Sequence, residues 1–178
     1  MEPRLILSNV QFSIMIDRLC YQLIENHNDF EDSVIIGLQP RGIFLSDRIH
    51  KRLTEILSSK NIHAGKLDVT FYRDDFRRKS SMIANSTQID FIIEDKKVVL
   101  VDDVLYTGRT IRAGLDAMLA FGRPKNVELL TLIDRRYSRD LPIQPNYTGM
   151  QVDTLASEKV KVEWKETEGE DKVWLLTR

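Results

Sequence analysis

Two adjacent carboxylates, Asp102 and Asp103, stand between an apolar run and a Thr-Gly-Arg-Thr tetrapeptide. The apolar run, residues 98–101, is typical of a strand buried on both faces of a parallel sheet, and such sheets bind ligands at their carboxyl edge. Carboxylates at that edge accept hydrogen bonds from neighbouring hydroxyls, directly or through a hydrated magnesium ion. We therefore predict that the two acids hold the two hydroxyls of a ribose.

The tetrapeptide itself, residues 107–110, opens a stretch with helical character. Its hydroxyls and backbone N–H groups would lie at the N-terminus of that helix, where the helix dipole and the unpaired donors favour a phosphate. A phosphate at the loop and hydroxyls at the acids together predict a cradle for ribose 5-phosphate.

Residues 98–110 resemble the phosphoribosyl-pyrophosphate (PRPP) motif of type I phosphoribosyltransferases. The segments Phe-Tyr-Arg-Asp-Asp at residues 71–75 and Ser-Glu-Lys-Val at residues 157–160 are further similar to the PyrR family of pyrimidine operon attenuation regulators and uracil phosphoribosyltransferases. The resemblance covers roughly residues 5–175. It implies that PRPP is contacted by Val101, Val104, Leu105, Tyr106, Thr107, Gly108, Arg109 and Thr110.

The resemblance also implies an activity and its partners. The reaction would combine uracil with PRPP to give UMP and diphosphate, with Mg²⁺ held by Asp102 and Asp103 through water. The family further implies a regulator of pyr mRNA attenuation that senses uridine nucleotides, and a homo-oligomer, either a dimer or a tetramer. Cleavage at ribose C1 leaves an oxocarbenium-like centre, so catalysis needs placement of the base and neutralisation of pyrophosphate more than covalent help.

A second loop, Leu-Gln-Pro-Arg-Gly, follows the second apolar strand and leads into a helix. A glycine there allows close approach of the backbone, and a guanidinium grips phosphate oxygens in bidentate fashion. By resemblance, Gln39, Pro40, Arg41 and Gly42 form the pyrophosphate loop, with Pro40 where the family has threonine. Type I enzymes typically hold a cis peptide in this loop and proline lowers its cost, so we predict a cis Gln39-Pro40 bond. The alternative is that Pro40 merely starts the helix.

Arg73 precedes a charged segment, residues 74–87, that has few large apolar groups. We predict a mobile excursion there, which corresponds to a flexible loop at about residues 72–90 by resemblance. Arg73 would close over the pyrophosphate, exclude water and oppose the charge of the leaving group, as a catalytic residue beside Asp102, Asp103 and Arg41. The alternative is a solvated hairpin whose charges maintain solubility.

The same resemblance assigns base binding to Asp134, Arg135 and Val160. Uracil presents two carbonyl acceptors and one N–H donor, which a guanidinium and backbone groups can read. Tyr106 stands where purine-using relatives place an aspartate, which favours a pyrimidine. The alternatives are a solvated ion pair for Asp134 and Arg135 and an ordinary hood-core valine for Val160.

Length and composition agree with a single phosphoribosyltransferase domain over residues 1–178, since a chain with 42% hydrophobic residues can bury a full core. The net charge of −1 excludes a general binder of polyanions. The lone Cys20 cannot form an internal disulfide. No run approaches the about 18 apolar residues of a membrane span, and the N-terminus lacks an export signal. We therefore expect a cytoplasmic protein without a membrane partner.

Strand and helix patterns alternate along the chain without repeats. They predict an α/β protein with the type I phosphoribosyltransferase fold, in which helices flank a central parallel sheet beside a flexible loop and a small β-rich hood that is mostly C-terminal. The predicted strands are residues 5–7, 34–37, 66–72, 98–101 and 127–133, with 150–153, 160–164 and 173–176 in the hood; the predicted helices are residues 9–26, 41–57 and 110–120.

Two other functions stay open at this point. A purine phosphoribosyltransferase, for hypoxanthine, guanine or xanthine, or another phosphoribosyltransferase would share the PRPP motif. An RNA-binding regulator with vestigial catalysis would share the family resemblance. Against RNA binding, Asp17 precedes Arg18 where relatives have a Thr-Arg pair, and residues 134–142 contain one extra residue and no histidine. A carboxylate opposes phosphate contact, so the sequence favours the enzyme.

Overall fold

The computed structural model describes residues 3–59, 61–74 and 84–177 of the chain. Strands and helices alternate over most of this length, as the sequence predicts. The elements are β1 (Arg4–Leu7), α1 (Asn9–His27), β2 (Ser33–Leu38), α2 (Gly42–Leu57), β3 (His63–Leu67), β4 (Lys97–Leu105), α3 (Arg109–Met118), β5 (Asn126–Arg136), β6 (Tyr147–Asp153), β7 (Glu158–Glu163), α4 (Lys165–Glu168) and β8 (Lys172–Thr177), with short 3₁₀ helices at Thr70–Tyr72 and Leu119–Phe121.

The strands form two separate sheets. Five of them make a parallel sheet in the order β3-β2-β4-β5-β6, and three make an antiparallel sheet, the hood, in the order β1-β8-β7. These two sheets confirm the predicted α/β fold. The hood contains the first strand as well as the last two, so the two ends of the described chain meet in it.

The prediction that residues 150–153 belong to the hood is wrong. They lie in β6, which pairs in parallel with β5 and forms the edge of the central sheet. More buried and less buried residues alternate along most of β6, which indicates that one face of this strand is better covered than the other. That alternation is also typical of an antiparallel hood strand, and the sequence pattern alone does not separate the two.

The helices cover both faces of the central sheet. Successive residues of a strand point to opposite faces, so Ile35 packs in the core with α1 and α2 while Val34 and Ile36 pack with α3. All four residues of the apolar run at 98–101 are fully buried, as the sequence predicts for an inner parallel strand.

Trp164, at the end of β7, fixes the hood to the rest of the molecule. Its fully buried indole meets Phe12 of α1 edge to face, with 5.2 Å between ring centroids. The guanidinium of Arg48, on α2, lies 4.9 Å from the indole centroid. Aromatic and cation–π contacts of this kind add to the energy of apolar burial, so they hold the hood against α1 and α2.

The predicted strand at residues 66–72 is wrong in its second half. β3 ends at Leu67, and Thr70–Tyr72 is a 3₁₀ helix. The carboxylate of Asp68 accepts a 2.7 Å hydrogen bond from the Thr70 hydroxyl and a 3.3 Å bond from the Thr70 N–H. An aspartate that bonds the backbone two residues ahead forms a turn, which ends the strand.

Residues 75–83, the centre of the predicted flexible loop, lie outside the described residues. The residues that follow this segment are hydrogen-bonded to β3 and to the turn after it. Gln88 exchanges two backbone hydrogen bonds of 2.8 Å with Lys66, and the N–H of Asn85 donates to Asp68 at 3.2 Å. Among the residues that the structure describes, no helix combines the length and the apolar character needed to cross a bilayer.

His27, at the end of α1, lies in a buried polar cluster on the amino-terminal side of the sheet. Its ring nitrogens lie 2.8 Å from Ser33 Oγ, 3.1 Å from Glu128 Oε2 and 3.2 Å from Tyr147 Oη. The Tyr147 hydroxyl donates to the same Glu128 oxygen at 2.6 Å. Burial lowers the pKa of His27 below its ordinary value, and Glu128 opposes this effect only in part.

The free energy of unfolding should therefore fall as the pH decreases below about 6.5, the ordinary pKa of histidine, because the unfolded chain then binds a proton that folded His27 resists. A His27→Gln variant should show a flatter dependence on pH, whatever its absolute stability. Urea unfolding between neutral and mildly acidic pH measures this slope, with His63→Gln, at an exposed position, as the control. An unchanged slope in His27→Gln would contradict the prediction.

Candidate active site

The acidic pair lies inside β4, near its carboxyl end. The predicted strand ends at residue 101, but β4 runs on to Leu105, so the two acids and the two residues after them belong to the strand. Both carboxylates are buried, with 8% exposure each, and the N–H of Asp103 donates to Asp102 Oδ1 at 2.9 Å. Burial, and then the charge of Asp103, raise the pKa of Asp102 well above its ordinary value. The pair therefore favours a ligand that brings positive charge or hydrogen-bond donors.

The loop before α2 lies directly against this pair. The Gln39-Pro40 peptide is cis, as the sequence predicts. A Cβ on Gly42 would lie 2.5 Å from the carbonyl oxygen of Val101 and 2.9 Å from Asp102 Cα. Both are backbone atoms that cannot move aside cheaply, so only glycine allows this loop to approach the acidic strand so closely.

Arg41 connects the acidic pair to the hood. Its Nε donates to Asp103 Oδ2 at 3.1 Å, and another guanidinium nitrogen donates to the carbonyl oxygen of Val162 in β7. Glu168 lies 3.8 Å from a third nitrogen. Burial raises the pKa of Asp103, and the charge of Arg41 opposes this increase. The guanidinium thus lies beside the acids, while the predicted contact with pyrophosphate stays a prediction.

The Thr-Gly-Arg-Thr loop turns the chain from β4 into α3. Gly108 has a φ of +89°, a left-handed conformation that side chains disfavour, and α3 begins one residue earlier than predicted, at Arg109. The N–H groups of Asp140 and Leu141 donate to the carbonyl oxygen of Thr107 at 3.0 and 3.2 Å. The loop therefore leads into a helix N-terminus, as an anion site requires. The two hydrogen bonds from the segment after β5 hold the loop in place.

A cleft of about 240 Å³ lies over this loop and includes one of the acids. Arg73 reaches into it from the 3₁₀ helix and donates to Thr110 Oγ1 at 3.1 Å. The positive charge of Arg73 lowers the pKa of Asp102, in opposition to burial.

Arg109, in contrast, directs its guanidinium to Asp74 and to Asp140, the latter at 2.9 Å. The cleft thus combines a carboxylate, a cation, hydroxyls and a helix N-terminus. It is lined by Arg73, Asp102, Val104, Leu105, Tyr106, Thr107, Gly108, Arg109, Thr110 and Ile111.

The residues predicted to bind the base lie among the last three residues of β5 and in the hood. β5 extends to Arg136, so Asp134 and Arg135 belong to the strand and are buried. The Arg135 guanidinium lies 4.0 Å from the centroid of the Tyr106 ring, and it donates to Thr154 Oγ1 at 3.2 Å and to the Glu158 carbonyl oxygen at 2.9 Å. Because both residues are buried, the alternative of a solvated Asp134–Arg135 ion pair is wrong. Asp134 forms an ion pair with Arg139.

Val160 is buried in the hood, among the apolar residues that it shares with the main core. This position agrees with the alternative of a hood-core valine. Contact of its side chain with a base ring stays a prediction.

Sequence reasoning missed Arg139, which bonds both the carboxylate of Asp134 and the carbonyl oxygen of Tyr106, next to the loop before α3. The available signal was the region itself, residues 134–142, where the chain departs from the pattern of the family. An arginine in such a segment reads as a surface charge, because the carbonyls of Leu105 and Tyr106 that it bonds lie more than 30 positions away in the sequence.

Comparison with known proteins agrees with this arrangement. A family model described as the phosphoribosyl transferase domain matches residues 5–167. A hypoxanthine-guanine phosphoribosyltransferase of Bacillus anthracis has the same fold, with a TM-score of 0.72 and 16% identity over 100% of both chains. The fold and the site define a phosphoribosyltransferase.

Curated relatives identify the family within this class of enzymes. Bifunctional protein PyrR of Desulfosudis oleivorans is 48% identical over 161 residues, which are 90% of this chain and 88% of that protein. Bifunctional protein PyrR of Deinococcus radiodurans is 42% identical over 172 residues, 96% of this chain and 93% of that protein. This chain belongs to the PyrR family of type I phosphoribosyltransferases.

Proposed function

We propose that this protein transfers ribose 5-phosphate from PRPP to uracil, with UMP and diphosphate as products. The observation that carries the proposal is the cleft in which Asp102, Arg73 and the loop before α3 meet. Backbone N–H groups at the start of α3 bind the 5-phosphate, and the acidic pair accepts hydrogen bonds from the ribose hydroxyls. Arg41 and Arg73 neutralise the pyrophosphate as it leaves.

Magnesium suits the acidic pair. Mg²⁺ keeps several of its waters and takes one or two carboxylates together with substrate phosphates, and two adjacent buried carboxylates meet that requirement. The described residues contain no group of three or more His, Cys, Asp or Glu that would hold a metal by protein ligands alone. Asp102 and Asp103 would hold the ion through water, and the bound ion supplies positive charge to the pyrophosphate.

The surroundings of Arg135 support a pyrimidine. Its guanidinium is fixed by Thr154, by the Glu158 carbonyl and by the ring of Tyr106, so it offers donors in a defined direction to the carbonyl oxygens of uracil. Tyr106 occupies the position before the phosphate loop where purine-using relatives carry an aspartate, and its phenol supplies no carboxylate to a purine ring.

A panel of bases tests the proposal. PRPP is offered with uracil, orotate, hypoxanthine, guanine and xanthine at matched subsaturating concentrations, and pyrophosphate release is followed. We expect the fastest release with uracil, because other bases leave buried polar groups unpaired at a cost of about 1 to 3 kcal/mol for each lost partner. Arg135→Ala should reduce uracil use more than PRPP binding. Faster release with hypoxanthine or guanine would make the pyrimidine assignment wrong.

A second proposed function is regulation of pyr mRNA through uridine-nucleotide-sensitive RNA binding. It is favoured by the shared name of the relatives, bifunctional protein PyrR. Asp17 opposes it, although its charge is paired with Arg52 at 2.6 Å rather than free. Titration of a pyr leader RNA at increasing salt, with and without UMP, tests this activity. An affinity that falls steeply with salt and responds to UMP supports it, and undetectable binding at low salt contradicts it. Sedimentation of the same preparation measures the proposed dimer or tetramer.

A further inference from the structure

Arg139, in the loop after β5, donates hydrogen bonds to three separate parts of the candidate site. Its side chain is mostly covered, with 21% exposure. The acceptors are the carbonyl oxygens of Tyr106 at 2.5 Å, Arg135 at 2.9 Å, Ile143 at 3.0 Å and Leu105 at 3.3 Å, together with a carboxylate oxygen of Asp134.

Four of these acceptors lie where two neighbouring strands end, Leu105 and Tyr106 at β4 and Asp134 and Arg135 at β5. The fifth, Ile143, lies in the loop after β5. Leu105, the last residue of β4, is paired with Asp134 of β5, and beyond this pair β4 leaves the sheet to form the PRPP loop. The guanidinium of Arg139 donates hydrogen bonds to both strands at the point where they separate. A guanidinium is planar and rigid, so it fixes the separation of the carbonyls that it bonds.

The two strand ends that Arg139 bonds carry the two halves of the proposed substrate site. Tyr106 directly precedes the phosphate loop, and Arg135 is the residue assigned to the base. Their separation determines where the base lies relative to ribose C1, and displacements of about 1 Å can reduce a rate by about 100-fold.

Arg139 also supplies the positive charge beside Asp134. This carboxylate is 5% exposed, and the ion pair with Arg139 offsets the cost of its burial. Removal of the guanidinium would leave a buried negative charge adjacent to the base-reading arginine.

We propose that Arg139 is a positioning residue that sets the distance between the base-binding end of β5 and the PRPP loop, and so governs the use of the base rather than the binding of PRPP. The inference rests on the proposed function for the role of Arg135. PRPP binding is expected to persist without Arg139, because the backbone N–H groups of Asp140 and Leu141 still hold the carbonyl of Thr107.

The test compares Arg139→Ala and Arg139→Lys with the unmodified protein. In Arg139→Ala we expect kcat/KM for uracil to fall by about ten-fold or more, while KM for PRPP stays within about two-fold. Added guanidinium ion at millimolar concentration should restore part of the lost activity, and ammonium should not. Arg139→Lys, which keeps the charge without the planar fork, should remain impaired. Arg136→Ala is the control, because that exposed arginine pairs with Asp153 at the surface.

The inference is overturned by an Arg139→Ala protein with unchanged use of the base, or by equal losses for base and PRPP without recovery in guanidinium. If Arg139→Ala does not fold, Arg139→Lys decides alone, and full activity in it would overturn the inference. The unmodified protein is assayed first on the base panel. Preference for another base would reject the proposed function, and the Arg139 variants would then be judged by the same ratios on that base.

Discussion

Replacing Asp102 and Asp103 together by asparagine should lower kcat/KM for PRPP by about 100-fold or more. The two amides keep the size of the carboxylates but lose the negative charge that suits ribose hydroxyls and a hydrated magnesium ion. The fold should persist. Burial raises the pKa of both acids, which means that the folded protein disfavours their charges, so neutral side chains should leave the free energy of unfolding at neutral pH unchanged or higher.

Initial rates at varied PRPP and urea unfolding of the same preparation measure the two effects separately. Asp116→Asn provides a matched control, since this exposed acid on α3 pairs with Arg112 at 3.0 Å on the surface. Such a surface pair contributes about 0.3 to 0.5 kcal/mol, and its loss should not change turnover. Near-normal turnover in the double variant would remove the acids from the proposed mechanism.

Gly42→Ala should be nearly as damaging, although it adds a single methyl group. The new Cβ would lie 2.5 Å from the Val101 carbonyl oxygen, so either the loop or β4 must shift. A shift of this size beside the acids should reduce kcat/KM for PRPP by about 100-fold. Overpacking of this kind should also lower the free energy of unfolding by about 1 to 3 kcal/mol.

Thermal unfolding and PRPP kinetics of Gly42→Ala measure these losses. Lys51→Ala, on the exposed side of the same helix, tests whether an alanine in α2 has any effect of its own. If Gly42→Ala retains normal PRPP kinetics, the loop does not need its close approach to β4 for activity.

The candidate site could be predicted because it is local in sequence. Residues 98–110 contain a buried strand, two acids and a helix N-terminus in one continuous segment, and the structure places one of these acids, Asp102, and the helix N-terminus along one cleft. The sequence could not show which sheet β6 joins, because strand pairing and not composition determines this. β6 has the alternation of a hood strand, yet its pairing with β5 places it in the central sheet.

The polar ends of β4 and β5 illustrate a second limit. Asp103 and Arg135 lie beyond the ends of the predicted strands, residues 98–101 and 127–133, because charged side chains are rarely buried unless they are paired. They remain in strands because each has a partner from a distant segment: Arg41 reaches Asp103 across 62 positions of sequence, and Arg135 bonds Thr154 and Glu158. Such partners are visible only after the chain has folded, and the same is true of the Leu105 and Tyr106 carbonyls that Arg139 bonds.

The composition of the hood has a consequence for synthesis on the ribosome. β1 is made before the other described strands, but among them its partner in the hood is β8, which is made last. The parallel sheet, with its acids and phosphate loop, can assemble while β1 is still unpaired. Because β7 also pairs with β8, the Val162 carbonyl that bonds Arg41 is fixed only when residues 172–177 have emerged. The nascent chain can therefore form the buried strand, the acidic pair and the loop before α3 before it gains the sheet that bonds Arg41.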